Sequence, residues 1–351
     1  SVAESLRGKR VLITGSAGSI GSEIVRQVAS FAPSKMMLID SAETPQHDIR
    51  RMMAHDFPSV PCATVVTSIT KADRMENIFK TFLPEYVFHA AAYKHVPMME
   101  DNPCESIQNN VLGTKILADL SVKYGVRRFV MVSTDKAVNP TNVMGCSKRI
   151  CEVYVQSLNK AERDGVVKGQ TQFITTRFGN VLGSNGSVIP IFERQIKAGG
   201  PVTVTDPNII RYFMLIPEAC ELVLEAGTKG EGGEIFVFDM GKPVRIADLA
   251  RRMIELSGAK GVEIKYTGLR DGEKLYEEVL SESEATKPSF HEKIRIACVR
   301  EYDWSDVSRE IDALIAQSHT YDDMAVVASM KRLVPEYISN HSKYTVLDHK
   351  A

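Results

Sequence analysis

The 351-residue sequence has no apolar run approaching the roughly 20 residues that a membrane-crossing helix needs, and the stretch after Ser1 lacks the basic start and apolar core of a secretory signal. No membrane contact by the chain itself is expected. It also lacks a surplus of either charge. Its 43 Lys and Arg stand against 44 Asp and Glu, with neither a basic stripe nor an acidic tail, which argues against nucleic acid as a partner. The six cysteines (Cys62, Cys104, Cys146, Cys151, Cys220, Cys298) form no C-x-x-C pair, so neither a zinc site nor a disulfide framework is predicted, and no metal is expected. Repeats and low-complexity tracts are missing too. With 44% apolar and 25% charged residues, what is left is an ordinary globular protein of the reducing cytoplasm whose partner is a small molecule.

What the sequence does have is alternation. From Arg10 onward, apolar runs alternate with turns and helical patterns, the signature of a parallel sheet with crossover helices. Strands are predicted at Arg10 to Thr14, Lys35 to Asp40, Ala63 to Thr67, Tyr86 to Ala90, Arg128 to Ser133 and Thr171 to Arg177; helices at Ile20 to Phe31, Lys71 to Phe82, Cys104 to Tyr124 and Asn142 to Arg163. Phe129-Val130-Met131-Val132 is apolar throughout, as a strand covered on both faces would be. The fold class read here is α/β, a Rossmann-type doubly wound parallel sheet with a smaller C-terminal α/β substrate lobe. Residues 1–178 are assigned to the first domain, 179–305 mainly to the substrate lobe, and 306–351 to a partly helical tail without assigned chemistry.

Thr14-Gly15-Ser16-Ala17-Gly18-Ser19-Ile20-Gly21 lies between a strand and a helix. Its glycines permit a tight turn, approach of the backbone to a pyrophosphate, and close helix–strand packing, while the helix N-terminus favours an anion. Asp40 ends the next strand at about the 20-residue offset where an acid grips the adenosine ribose. A 2′-phosphate would be repelled there, so NAD is expected rather than NADP. The cofactor contacts are assigned to Gly15, Ala17, Gly18, Ser19, Ile20, Gly21 and Asp40. The competing reading is a structural turn with a surface aspartate.

Ser133-Thr134-Asp135-Lys136 sits at the carboxyl end of a strand, where open α/β sheets bind ligands, and Met144 and Lys148 follow at i, i+4 on the next helix. The arrangement resembles the extended short-chain dehydrogenase/reductase superfamily, with Met144 where a Tyr-x-x-x-Lys tyrosine is usual. More narrowly, the run from Ser133 to Pro140 with Met144-Gly145-x-Ser147-Lys148 resembles the UDP-N-acetylglucosamine 4,6-dehydratases of bacterial polysaccharide and glycan biosynthesis. Agreement extends through Ala92 to Glu100, Asn110-Val111-x-Gly113-Thr114, Arg177 to Ser184, Thr205-Asp206-Pro207, Arg211 to Met214 and Leu269-Arg270-x-Gly272-Glu273-Lys274, covering Gly8 to about Arg300. Many members of that branch carry preceding transmembrane helices, so the resemblance implies either a catalytic part anchored, in a fuller protein, at the cytoplasmic face of the bacterial inner membrane or a naturally soluble cytoplasmic version. A homo-oligomer is also expected.

The resemblance implies a reaction with retained C5 configuration. Hydride leaves C4 of a UDP-N-acetylhexosamine for NAD, water is eliminated across C5 and C6, and hydride returns to C6. Asp135 is assigned as the acid at the C6 oxygen, Lys136 as the base at C5, Thr134 as a hydrogen-bond partner of the C4 oxygen, and Lys148 as the holder of the nicotinamide ribose. Desolvation favours the neutral forms that the acid and base need, and their mutual attraction opposes it. Ser68 and Ile69 stand where relatives place an acid for the adenine amine, and Ala90, Ala91 and Ala92 complete the cofactor contacts. Substrate contacts are assigned to Lys94, His95, Asn110, Met144 and Asn180, to Arg211 and Arg270 on the diphosphate, and to Glu273 on the uridine ribose. A C5-inverting dehydratase, a 4-epimerase and a non-catalytic nucleotide-sugar-binding protein are the alternatives. Asp135-Lys136 alone would read as a surface ion pair. Met52, Met53, Met98 and Met99 read as core filler, and Cys146 and Cys151 as inert packing.

Overall fold

The structure, a computed structural model, describes residues 1–182, 188–276 and 285–348. The strands in chain order are β1 (Arg10–Thr14), β2 (Lys35–Asp40), β3 (Cys62–Val66), β4 (Tyr86–His89), β5 (Arg128–Thr134), β6 (Gln172–Phe178), β7 (Val181–Leu182), β8 (Val202–Val204), β9 (Ile210–Arg211), β10 (Met214–Leu215), β11 (Ile235–Phe238), β12 (Val244–Arg245), β13 (Ile264–Tyr266), β14 (Ala285–Pro288) and β15 (Ile294–Cys298). Nine of them form one sheet in the order β14-β15-β11-β6-β5-β4-β1-β2-β3. It is parallel from β3 to β11, and β15 and β14 close the far edge antiparallel. Strand order reverses between β1 and β4, which opens a crevice at their carboxyl ends.

Two apolar layers cover the sheet. Successive side chains point to opposite faces, so Leu12, Phe129 and Met131 join one layer while Val11, Ile13 and Val130 join the other. This is why the strands read as unbroken apolar runs. A separate, smaller core gathers Phe192, Val202, Val204, Ile209, Ile246, Ala247 and Ala250 around the helix Ile246–Ser257. No helix among the described residues is long and apolar enough to cross a membrane.

The structure departs from the sequence expectations in organisation more than in elements. The partly helical C-terminal tail contributes the helices Trp304–Ser318 and Asp323–Leu333, and Val307, Ile311, Val326, Met330 and Tyr337 are buried in the same layer as Phe129 and Met131. Likewise β11, β14 and β15, all beyond residue 178, extend the first domain's sheet. The expected helix from Cys104 to Tyr124 is interrupted by a π turn at Ile107–Val111, and a helix at Glu43–Asp56 had no clear apolar period to announce it. Met53 and Met99 are buried, but Met98 is 58% exposed and fills no core.

A buried ionic cluster joins the carboxyl ends of β5 and β6 to the helix Val143–Arg163. Glu152, fully buried, accepts from Arg177 Nη2 (2.6 Å) and Nε (2.9 Å), from Arg149 Nη1 (3.1 Å) and from Ser133 Oγ (2.7 Å). Burial acts to raise the carboxyl's proton affinity, but Arg177, with Arg149 behind it, outweighs burial and holds the group below its ordinary range. Replacing the carboxylate would leave Arg177 buried and under-compensated. Glu152→Gln is therefore expected to cost about 3–5 kcal/mol in chemical denaturation at neutral pH. Because the folded value lies below the unfolded one, the contribution is complete above the unfolded value and is lost as pH falls through the folded one, so the variant's stability should decline less steeply with acid. Equal midpoints and equal acid limbs would refute this account.

Candidate active site

The glycine turn occupies the crevice between β1 and β4. Gly15 has φ +68°, and a Cβ there would lie 2.7 Å from the backbone of Ala90 and Ala91; at Gly21 it would lie 1.8 Å from the Gly15 carbonyl oxygen. Both positions need glycine because backbone meets backbone. The helix Ser19–Ser30 begins at Gly18 without a side-chain cap, and the positive end of its dipole lies at the glycine turn. Asp40 accepts from Ala17 N (3.0 Å) and Ala42 N (2.9 Å), so its carboxylate shapes the turn from the end of β2. Beneath, His89 bridges the Thr14 and Thr114 hydroxyls at 2.7 and 2.9 Å, and burial, then the charge of Lys148, holds its proton affinity well below the ordinary imidazole value.

A cavity of about 400 Å³ continues from this crevice into the second lobe. Ile20, Ala90, Ala92, Lys94, His95, Thr134, Lys136, Met144, Lys148, Asn180, Arg211, Arg270 and Glu273 line it. One short turn after β5 carries the candidate reactive residues. Thr134 Oγ1 donates to Asp135 Oδ1 (3.1 Å) and accepts from Lys136 N (3.2 Å), while Lys136 Nζ stands 3.7 Å from Asp135 Oδ1 and donates to Asn180 Oδ1 at 3.3 Å. Asp135 is 1% exposed, and its Oδ2 has no hydrogen-bond partner among the described residues.

The helix bearing Met144 and Lys148 is drawn against this turn. A Cβ on Gly145 would sit 2.2 Å from the Lys136 carbonyl oxygen, so glycine sets the closeness. Asn142 Oδ1 caps the helix through Gly145 N (2.7 Å), and the buried Glu100 accepts from Val143 N at 2.5 Å. Lys148 is 5% exposed, and that burial lowers its proton affinity against the pull of Cys151 and Glu152. Across the cavity burial does the same to Lys94, helped by the charge of Lys136, and to His95, helped by Lys94.

At the far end, Arg211 donates to the carbonyls of Ile210 (2.8 Å) and Lys274 (2.6 Å) and reaches Glu273 Oε2 at 3.4 Å, while Glu273 Oε1 accepts from Arg270 N at 3.1 Å. The Arg211 guanidinium, the Glu273 carboxylate and Arg270 in the cavity lining thus lie together where a phosphate and a sugar hydroxyl could be met.

Not every residue singled out in the sequence lies on the cavity. Asp135 is buried behind Thr134 and Lys136 rather than in the wall. Asn110, delivered by the π turn, holds the Lys94–His95 loop instead: its Oδ1 accepts from Tyr93 N (2.8 Å), and its Nδ2 donates to Tyr93 O (3.1 Å) and Ser147 Oγ (3.0 Å). Ser68 caps Thr70, and the Ile69 side chain is packed on Gly113 in the core. Gly183 and Ser184 lie outside the described residues. The sequence reading missed the apolar end of the cavity, where Ile191, Phe192, Ile209, Phe213 and Ile246 meet Thr205. Thr205 and Phe213 lay in motifs the sequence offered; the others have the spacing of ordinary core.

Residues 11–299 match the family described as polysaccharide biosynthesis protein. The capsular polysaccharide biosynthesis protein CapD of Staphylococcus aureus is 47% identical over 317 residues, taking in 90% of this chain and 52% of that protein, so the chain spans about half its relative's length. UDP-glucose 4-epimerase of Rickettsia canadensis is 35% identical over 286 residues, 80% of each chain. Among solved structures, Pen from Bacillus thuringiensis superposes with a TM-score of 0.75 at 32% identity, covering 83% of this chain and 89% of that one. The dTDP-glucose 4,6-dehydratase DesIV of Streptomyces venezuelae, solved with NAD bound, shares the fold with a TM-score of 0.67 at 23% identity, over 77% and 87% of the two chains. With its glycine turn, Thr134–Lys136 and Met144–Lys148 in place on an extended short-chain dehydrogenase/reductase fold, the chain belongs to the polysaccharide biosynthesis protein family.

Proposed function

We propose that this chain is an NAD-dependent 4,6-dehydratase of UDP-N-acetylglucosamine that gives the UDP-4-keto-6-deoxy sugar with its C5 configuration retained. The observation that carries the reading is the turn after β5. It sets an amine and a carboxyl 3.7 Å apart beside the cavity, opposite a methionine in place of a titratable tyrosine. An oxidoreductase or epimerase using tyrosine at 144 has no such group here, whereas elimination across C5 and C6 needs a base and an acid held together.

The glycine turn, the uncapped helix N-terminus and Asp40 fit a dinucleotide, and Asp40 suits the unphosphorylated ribose of NAD. When bound, NAD supplies reversible hydride acceptance, so it ends each turnover as it began. Lys148 would hold the nicotinamide ribose, and Thr134 would hydrogen-bond the C4 oxygen. Lys136, steadied by Asn180, takes the C5 proton. Asp135, whose Oδ2 has no hydrogen-bond partner among the described residues, takes the C4 hydroxyl proton and passes it to the departing C6 oxygen, which leaves as water, and Lys136 returns its proton to C5 as C6 is reduced. Arg211 and Arg270 offset the diphosphate's charge, Lys94 and His95 contact the sugar, and Glu273 takes the uridine ribose.

Incubation with UDP-N-acetylglucosamine, followed by NMR, should show a 4-keto-6-deoxy product, and a 4-epimer instead would overturn the assignment. Asp135→Asn and Lys136→Met should each lower kcat by about 10²- to 10⁴-fold, as removal of an acid or base does; near-normal turnover in both would remove these roles. Met144→Phe should keep appreciable activity, because a side chain that cannot titrate gives the cavity wall packing alone, and complete loss with intact folding would argue for a direct role. Gly21→Ala should abolish NAD retention, measured as the absorbance and nucleotide content of purified protein, and full occupancy would contradict the cofactor site.

A further inference from the structure

Residues 300–348 lie beyond the family match, and the sequence assigned them no chemistry, yet one short stretch of them reaches the active site. We propose that Asn340 is a positioning residue that sets the nucleoside-diphosphate end of the site against the catalytic helix. The inference rests on the functional reading above. Asn340 accepts from Gly272 N (2.6 Å) through its carbonyl, donates its own N–H to Thr141 O (3.2 Å), and donates Nδ2–H to Glu273 O at 2.6 Å. It therefore bridges two loops: the one presenting Arg270 and Glu273, and the one that caps the helix of Met144 and Lys148.

The bridge is built from both sides. Thr141 Oγ1 donates to Gly272 O at 2.7 Å, and the loop can come that close only because Gly272 has no Cβ, which would fall 2.5 Å from that of Asn142. Asn340 is itself pinned on each flank. Ser339 N donates to Asp348 Oδ1 at 3.0 Å and Ser339 Oγ accepts from Lys331 at 2.7 Å, while Ser342 Oγ donates to Glu100 at 2.7 Å, the carboxylate that receives Val143 N. A segment anchored only for stability would not need a side chain aimed at the Glu273 carbonyl. That bond orients the peptide from which the Glu273 carboxylate meets Arg211 and the Arg270 amide. Loss of it should loosen the grip on the diphosphate and ribose without touching the turn after β5.

The test is calorimetric titration with UDP alone, alongside steady-state kinetics, NAD content and thermal denaturation of the full chain. Asn340→Ala removes only the Nδ2 bond, and Thr141→Val removes the tie from the opposite side. Each should weaken UDP about fivefold, the scale of one hydrogen bond, with the loss in KM rather than kcat and with NAD content and denaturation midpoint kept. Asn340→Asp, which sets an acceptor against the Glu273 carbonyl, should weaken UDP further. UDP binding unchanged in both variants overturns the proposal, as does a parallel loss of NAD and thermal stability, which would mark a merely structural role. Wild-type protein that fails to bind UDP would instead overturn the functional reading, and this inference with it.

Discussion

The site hangs on a carboxylate that never sees water. Glu152 holds Ser133 at the end of β5 and Arg177 at the end of β6 to the helix that bears Met144 and Lys148. Met144, Lys148 and Glu152 recur at four-residue spacing, so one helical face presents a cavity wall, a buried amine and an ionic anchor in turn. A buried charge in a low-dielectric interior tolerates little displacement, because every lost hydrogen bond leaves a desolvated partner. The strand ends are consequently fixed relative to the helix, and the turn of Thr134, Asp135 and Lys136 inherits that fixed frame.

Close backbone contact does the complementary work where charge does not. Gly15 and Gly21 bring helix, turn and β4 together, Gly145 brings the helix of Met144 and Lys148 onto the Lys136 carbonyl, Gly113 admits Ile69, and Gly272 admits the neighbouring Asn142. Each is a place where a methyl group would force two segments of the site apart. Motif glycines here are thus distance settings between elements, and the side chains of the candidate site are placed by them as much as by their own hydrogen bonds.

Much of the candidate site was legible because its signals are local. The turn from Thr14 to Gly21, Asp40 at the next strand end, Thr134-Asp135-Lys136 after an apolar strand, and the four-residue step from Met144 to Lys148 all follow from neighbouring residues and simple periodicity. What local spacing left open was side-chain direction. Asn110 sits in a motif, but a π turn aims it at the Tyr93 backbone; Ile69 follows the strand as expected, but its side chain goes to the core; Asp135 is buried behind the two residues that flank it.

By itself, then, the sequence determined the doubly wound sheet, the crevice at its switch point and the chemical groups gathered there, because strand and helix periods and the turn chemistry of glycine are encoded over a few residues. Only the tertiary structure decided that β11, β14 and β15 extend the first sheet, that apolar residues of the second lobe close the cavity, and that the helices after Trp304 are core and carry Asn340 back to the Glu273 loop. Those contacts join residues far apart in the chain. Their partners are chosen by the path of the backbone and by which buried polar group would otherwise go unpaired, neither of which leaves a mark in local spacing.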